Sequence, residues 1–259
     1  MEPIWHVSTG NGPLVATAVH DGHATRKEIA NLFALPDLGR LREEDPFTGQ
    51  WATVGDSQIV GLRSRFEVDL NRPREKAVYL TPDDAWGLTV WKSPLPPEML
   101  AQSLAEYDAF YAEVHRVLTE ITERFGNFVV FDLHSYNHRR EGPDGPVADP
   151  QQNPEVNIGT HTINYQRWGA LIERFKADLS AFDFLGRHLD VRENVKFQGG
   201  NFPRWIQTNF PQTSCAIAIE FKKFFMDEWS GQPDPVQLET IKQALQSTVP
   251  GVLEELKKL

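Results

Sequence analysis

The sequence predicts an α/β fold. Short apolar runs rich in β-branched residues alternate with long amphipathic stretches, the pattern expected when helices cover the strands of one sheet. The chain has 259 residues, of which 40% are hydrophobic and 24% charged. That is ordinary globular usage, enough for a sizeable core in one large or two modest domains. Cys215 is the lone cysteine, so disulfide staples are excluded. Its place in the apolar run CAIAIEF reads as a small core residue.

In chain order, LVATAV (14–19), QIVGL (58–62) and FEVDL (66–70) are the first expected strands. Between 102 and 125, Leu104, Tyr107, Tyr111, Val114, Leu118, Ile121 and Phe125 recur at three- and four-residue spacing, and Gly126 follows as a C-cap. This predicts a long amphipathic helix. FVVFDL (128–133) predicts a strand, RWGALIERFKADL (167–179) a helix and AIAIEF (216–221) a further strand. Asp234 and Pro235 suit the N-cap and first position of a last helix. EGPDGPVADPQQNPEV (141–156), with four prolines and two glycines, predicts a long surface loop or lid. Motifs lie on both sides of it, so residues 1–259 are expected to form one domain.

Twenty-six basic residues against 36 acidic ones give a net charge of −10. This argues against nucleic-acid binding, which needs a basic face to neutralise phosphates. No apolar run approaches the ~18 residues needed to cross a bilayer, and MEPIWHVSTG lacks the basic and apolar regions of a signal peptide. No membrane association and a cytoplasmic location are expected.

The chemistry concentrates at strand ends. His20 and His23, in His20-Asp21-Gly22-His23, directly follow the first strand and could present two imidazoles to one first-row metal ion, although HxxH also suits two ordinary loop histidines. His134 ends another apolar strand, and period-two alternation puts Asp132 on the same side, as a supporting acceptor or as half of a strand-end ion pair. Glu220 interrupts an apolar strand. Such a carboxylate is normally paired, here with Lys222 or Lys223, or else metal-bound or tuned for proton transfer. SRFEVDLNRP supplies Arg65, Asp69, Asn71 and Arg72, which suit either an anion clamp or a surface salt-bridge set. Gly199 and Gly200 permit close backbone approach or positive φ. His6, His115, His138, His161 and His188 read as surface or packed residues, and Trp205 as a packing residue.

The ordered segments VHDGH, SRFEVDLNRP, FDLHSYN, FQGGN and AIEF resemble the N-formylglutamate amidohydrolase family. That family is similar in fold and site layout to zinc carboxypeptidases and aspartoacylases. The resemblance spans roughly residues 14 to 225 and implies a mixed central sheet flanked by helices. It also implies one zinc ion per chain, held by His20, His134 and a second ligand between them. In the carboxypeptidases and aspartoacylases that ligand is a glutamate three residues after the first histidine. Here His23 occupies the spacing, with Glu43, Glu44 and Asp45 in reserve. By the same resemblance Glu220 is the catalytic glutamate, Arg65 polarises the scissile carbonyl, and Asn71 with Arg72 grips a substrate carboxylate, with Gly199 and Gly200 beside the substrate. The implied substrate is a small anionic N-acyl amino acid such as N-formyl-L-glutamate. A carboxypeptidase-like or other N-acyl amino acid hydrolase, or a noncatalytic metal-binding module, is the alternative.

Overall fold

A computed structural model describes residues 4–259. The elements in chain order are β1 (Trp5–Ser8), β2 (Leu14–Ala18), α1 (Lys27–Ala30), α2 (Asp37–Glu43), α3 (Thr48–Trp51), β3 (Ser57–Gly61) and α4 (Pro97–Phe125). There follow β4 (Phe128–Tyr136), β5 (Val156–Gly159), α5 (Tyr165–Ala181), β6 (Val191–Glu193), α6 (Asn201–Asn209), β7 (Ser214–Lys222) and α7 (Pro235–Leu256). The strands form one mixed sheet in the order β1-β3-β2-β4-β7-β5-β6. β3, β2, β4 and β7 run parallel, β1 and β5 pair antiparallel with their inner neighbours, and β6 runs parallel to β5.

Period-two alternation sorts the side chains of the central strands. Val129, Phe131 and Leu133 of β4, with Ile217 and Ile219 of β7, pack among Trp168, Phe175 and Ile241 of α5 and α7. Phe128 and Val130 of β4, with Ala216 of β7, face the other layer, where Phe110 and Val114 of α4 and Phe202 and Ile206 of α6 cover them. Asp132, His134 and Glu220 continue that second face beyond the apolar cover. Every residue of β4 is buried, which is why its sequence reads as a continuous apolar run rather than an alternating one.

The long helix forms with Gly126 as its C-cap at φ +74°, and Asp234 caps α7 by accepting from the Val236 and Gln237 amides. The strand expected at 66–70 does not form. Glu67 and Val68 donate instead to the Ser64 carbonyl in a turn. Phe66, Val68 and Leu70 are buried as a strand's inner face would be, but so are Glu67 and Asp69. Glu67 accepts from the Arg26 backbone at 2.8 Å and its Nε at 2.5 Å, and these polar partners hold a loop where alternation alone suggests a strand. Residues 141–155 lack helix or strand, and β5 begins at Val156. Among the described residues no helix is long and apolar enough to cross a membrane.

Candidate active site

Three parallel strands aim their carboxyl ends at one cavity of about 230 Å³. In open α/β sheets this end of the strands, where the order of connection reverses, is where ligands bind. Here β2 leads outward to β3 while β4 lies on its other side. His20 follows β2, and His134 on β4 stands in register with Glu220 on β7.

His20, Asp45 and His134, all buried, bring one potential ligand atom each to within 4.8 Å of one another. Asp45 Oδ2 lies 2.9 Å from His134 Nδ1 and 3.3 Å from His20 Nδ1. Each histidine is held from behind through its other ring nitrogen. His20 Nε2 is 2.7 Å from Asp69, and His134 Nε2 is 3.0 Å from Asp132, whose second oxygen accepts from Thr17 at 2.8 Å. Carboxylates behind the far nitrogen are the usual supports of metal-binding histidines, because they set ring orientation and basicity. His20 Nδ1 has no hydrogen-bond partner although it is buried. Two imidazoles and a carboxylate suit a catalytic zinc, which keeps a further position open, and the orphaned nitrogen fits that use.

The charges agree with this geometry. Burial opposes the ionised form of Asp45, but the hydrogen bond with His134 and the positive charge of His20 and His134 hold its carboxyl well below the usual range. Burial likewise opposes charge on His134, yet the adjacent Asp132 raises it well above an ordinary histidine. Glu220 is pushed up to about 7, chiefly by burial, with His134 pulling it back. Neither neighbouring lysine pairs with Glu220. Lys222 donates to the Asn153 carbonyl, and buried Lys223 donates at 2.6 Å to both the Arg42 and Glu44 carbonyls.

Among the expected ligands, the structure brings His20 and His134 together but leaves His23 outside the cluster. Its Nδ1 lies 2.5 Å from Glu44, and its side chain is 39% exposed. The loop after β2 turns outward at Ala24, whose amide bonds the Leu62 carbonyl. The third place falls to Asp45, because its amide donates to the His20 carbonyl and pins the two residues side by side. Glu43 lines the cavity, while Glu44 is spent on His23 and Ser64.

Arg65 lines the cavity, fixed by Asp69 at 2.8 Å, the Tyr79 hydroxyl at 3.2 Å and the Glu43 carbonyl at 3.3 Å. Asn71 lines it too, with its Nδ2 3.4 Å from His134 Nε2. Its Oδ1 accepts from the Phe202 amide at 2.7 Å, so Asn71 also caps α6. Arg72 is not part of the lining. It packs over the Tyr79 and Trp86 rings with its guanidinium 4.8 and 5.7 Å from their centres. Gly199 and Gly200 are both in the wall. Gly199 takes φ +107°, and a Cβ on Gly200 would fall 2.3 Å from the Asn71 amide, so each position requires glycine. His6, His115, His161 and His188 are exposed and outside the lining, and His138 borders a separate surface pocket. Lys223, expected only as a possible partner of Glu220, also lines the cavity, and Trp86 and Arg140 do so without having been anticipated. Their only sequence signal is that loops enter strand-end clefts.

Two solved structures resemble this fold over nearly their whole length. An N-formylglutamate amidohydrolase from Ralstonia eutropha JMP134 superposes with a TM-score of 0.75 at 14% identity, covering 98% of this chain and 99% of its own. The gene product Atu2144 from Agrobacterium tumefaciens gives 0.70 at 16% identity, covering 98% and 96%. No curated protein matches the sequence. The sequence profile of N-formylglutamate amidohydrolase matches residues 12–226, which carry every side chain of the cavity described above, and the chain therefore belongs to that family.

Proposed function

We propose that this amidohydrolase is metal-dependent and removes the N-formyl group from an acidic amino acid such as N-formyl-L-glutamate. The observation that carries the metal is His20 Nδ1, buried, unpartnered and facing Asp45 and His134. These three residues would hold one zinc ion per chain. When bound there, the ion would acidify a water molecule and polarise the amide carbonyl.

The chain's own residues supply the rest. Glu220, across from His134 and without a lysine partner, accepts the proton of the attacking water and returns it to the departing amine. Arg65 is locked in place by Asp69 and Tyr79, so its charge is aimed before the reaction begins, which suits stabilisation of the carbonyl oxygen as charge develops on it. Asn71 presents its amide to the substrate carboxylate, with the Arg72 charge behind Trp86, and Gly199 and Gly200 let the substrate approach the backbone. The same reading takes residues 1–259 as one domain, supported by a sheet whose strands run from Trp5 to Lys222.

The test begins with elemental mass spectrometry on protein purified without a histidine tag or chelator. About one equivalent of zinc per chain is expected, followed by hydrolysis of N-formyl-L-glutamate in preference to N-acetyl and peptide analogues. A chain that neither carries nor takes up a metal refutes the metal reading. A chain that binds metal yet cleaves none of these amides is the noncatalytic module.

A further inference from the structure

Three cations line the cavity: Arg65, Lys223 and Arg140. They differ in what they have left to offer a ligand. Arg65 spends Nε, Nη1 and Nη2 on Tyr79, the Glu43 carbonyl and Asp69. Lys223 is buried, with its ammonium committed to two backbone carbonyls. Arg140 comes from the loop after β4 and has a side chain 53% exposed. Its hydrogen bonds, at 3.1 and 3.3 Å, both run from Nη1 to the Glu43 carboxylate. The Nε and Nη2 edge, the one that grips a carboxylate in two-point fashion, has no partner among the described residues. Glu43 also lies 3.9 Å from Arg42 Nε, so two guanidiniums share one carboxylate and the local balance stays positive.

Depth separates this edge from the reacting groups. His20, Asp45 and His134 form the buried floor, while Arg140 stands at the mouth. In an N-acyl amino acid the α-carboxylate sits on the carbon that carries the scissile nitrogen, and so stays near the floor beside Asn71. A glutamyl side chain carries its second carboxylate two methylenes further out. We infer that Arg140, steadied by Glu43, is a second anion subsite that selects N-acyl amino acids with an acidic side chain. The inference rests on the amidohydrolase reading above and adds to it a residue that sets specificity.

The experiment compares kcat/KM for N-formyl-L-glutamate and its neutral isostere N-formyl-L-glutamine, in the zinc-loaded wild type and in Arg140→Gln. A charge-assisted pair at a half-exposed site should give the wild type a glutamate-over-glutamine ratio of about 10- to 100-fold. In Arg140→Gln that ratio should fall towards one, through a higher KM for glutamate, and Arg140→Lys should restore part of it. Glutamine turnover in the same variant reports that the site is still folded. A ratio that survives in Arg140→Gln, a wild type without the preference, or an equal loss on both substrates overturns the subsite while leaving the amidohydrolase intact. A wild type that cleaves neither compound removes the underlying reading, and the subsite with it.

Discussion

Replacing Asp132 by asparagine isolates the charge behind His134. Asp132 is fully buried, its Oδ2 lies 3.0 Å from His134 Nε2, and Thr17 holds the other oxygen at 2.8 Å. Asparagine keeps the shape and can still accept from Nε2, but it removes the negative charge that raises the basicity of the ring. Loss of such a support typically weakens metal binding about 10- to 100-fold, or about 1.4–2.7 kcal/mol. Thr17→Val leaves the charge and loosens only its anchor, so its effect on zinc should be a few-fold, on the order of 0.5–1 kcal/mol. Competition of each variant against a chromophoric chelator at neutral pH reads both numbers, with circular dichroism confirming the fold. Zinc affinity in Asp132→Asn within about twofold of wild type, or a larger loss in Thr17→Val than in Asp132→Asn, would refute the role of the Thr17–Asp132–His134 relay.

Glu220→Gln should lower kcat by about 10²- to 10⁴-fold with metal still bound. In the wild type the acid limb of the pH–rate profile should lie at or below pH 7, since the carboxyl sits at about 7 and a bound cation would lower it; Glu220 acts as a carboxylate, so the rate falls as pH drops through that value. His134 is raised in the metal-free protein. It should therefore stabilise that form fully below about pH 6.5, the unfolded value, and lose that contribution as pH rises through the folded value. A thermal melt series should show this decline in the wild type and not in His134→Gln. Zinc uptake near pH 7 should accordingly release a proton, measured by calorimetry in buffers of different ionisation enthalpy. Lys223→Met leaves two backbone carbonyls unpaired beside Asp45 and should cost about 2–4 kcal/mol in a denaturant melt, together with weaker zinc binding.

Much of the fold could be read from the residues, since four of the five expected strands and all three expected helices form. The apolar runs that became β2, β3, β4 and β7 have no competing use for their backbone. FEVDL shares their alternation, but Glu67 is claimed by Arg26 and Asp69 by His20, both far away in sequence, with nearby Arg65 also on Asp69, and periodicity does not encode such partners. The short strands β1, β5 and β6 carry too few residues for a pattern to register. At the site, His20, His134 and Glu220 stood out because polar groups at the ends of apolar strands are costly unless used. The proximity of Asp45 depends on how residues 21–45 fold back, including the tether to Lys223, and local spacing pointed instead to His23. Arg140 was invisible for a related reason: a basic residue at the edge of a proline-rich polar stretch looks like any other solvated charge.

The floor and the mouth of the cavity differ in how they are built, and this has a consequence for how function is lost. His134 and Glu220 sit on central strands bonded on both sides, whose amides should exchange with solvent only when the whole sheet opens. The segment carrying Arg140 is exposed or half-buried over residues 139–152 and has no ladder of its own, so it belongs to the part of the molecule that opens locally at low cost. Under mild denaturation the protein should therefore become indiscriminate before it becomes inactive. The same division makes the exposed and half-buried residues 140–152 a segment that can be exchanged for another sequence while the chemistry beneath it stays in place.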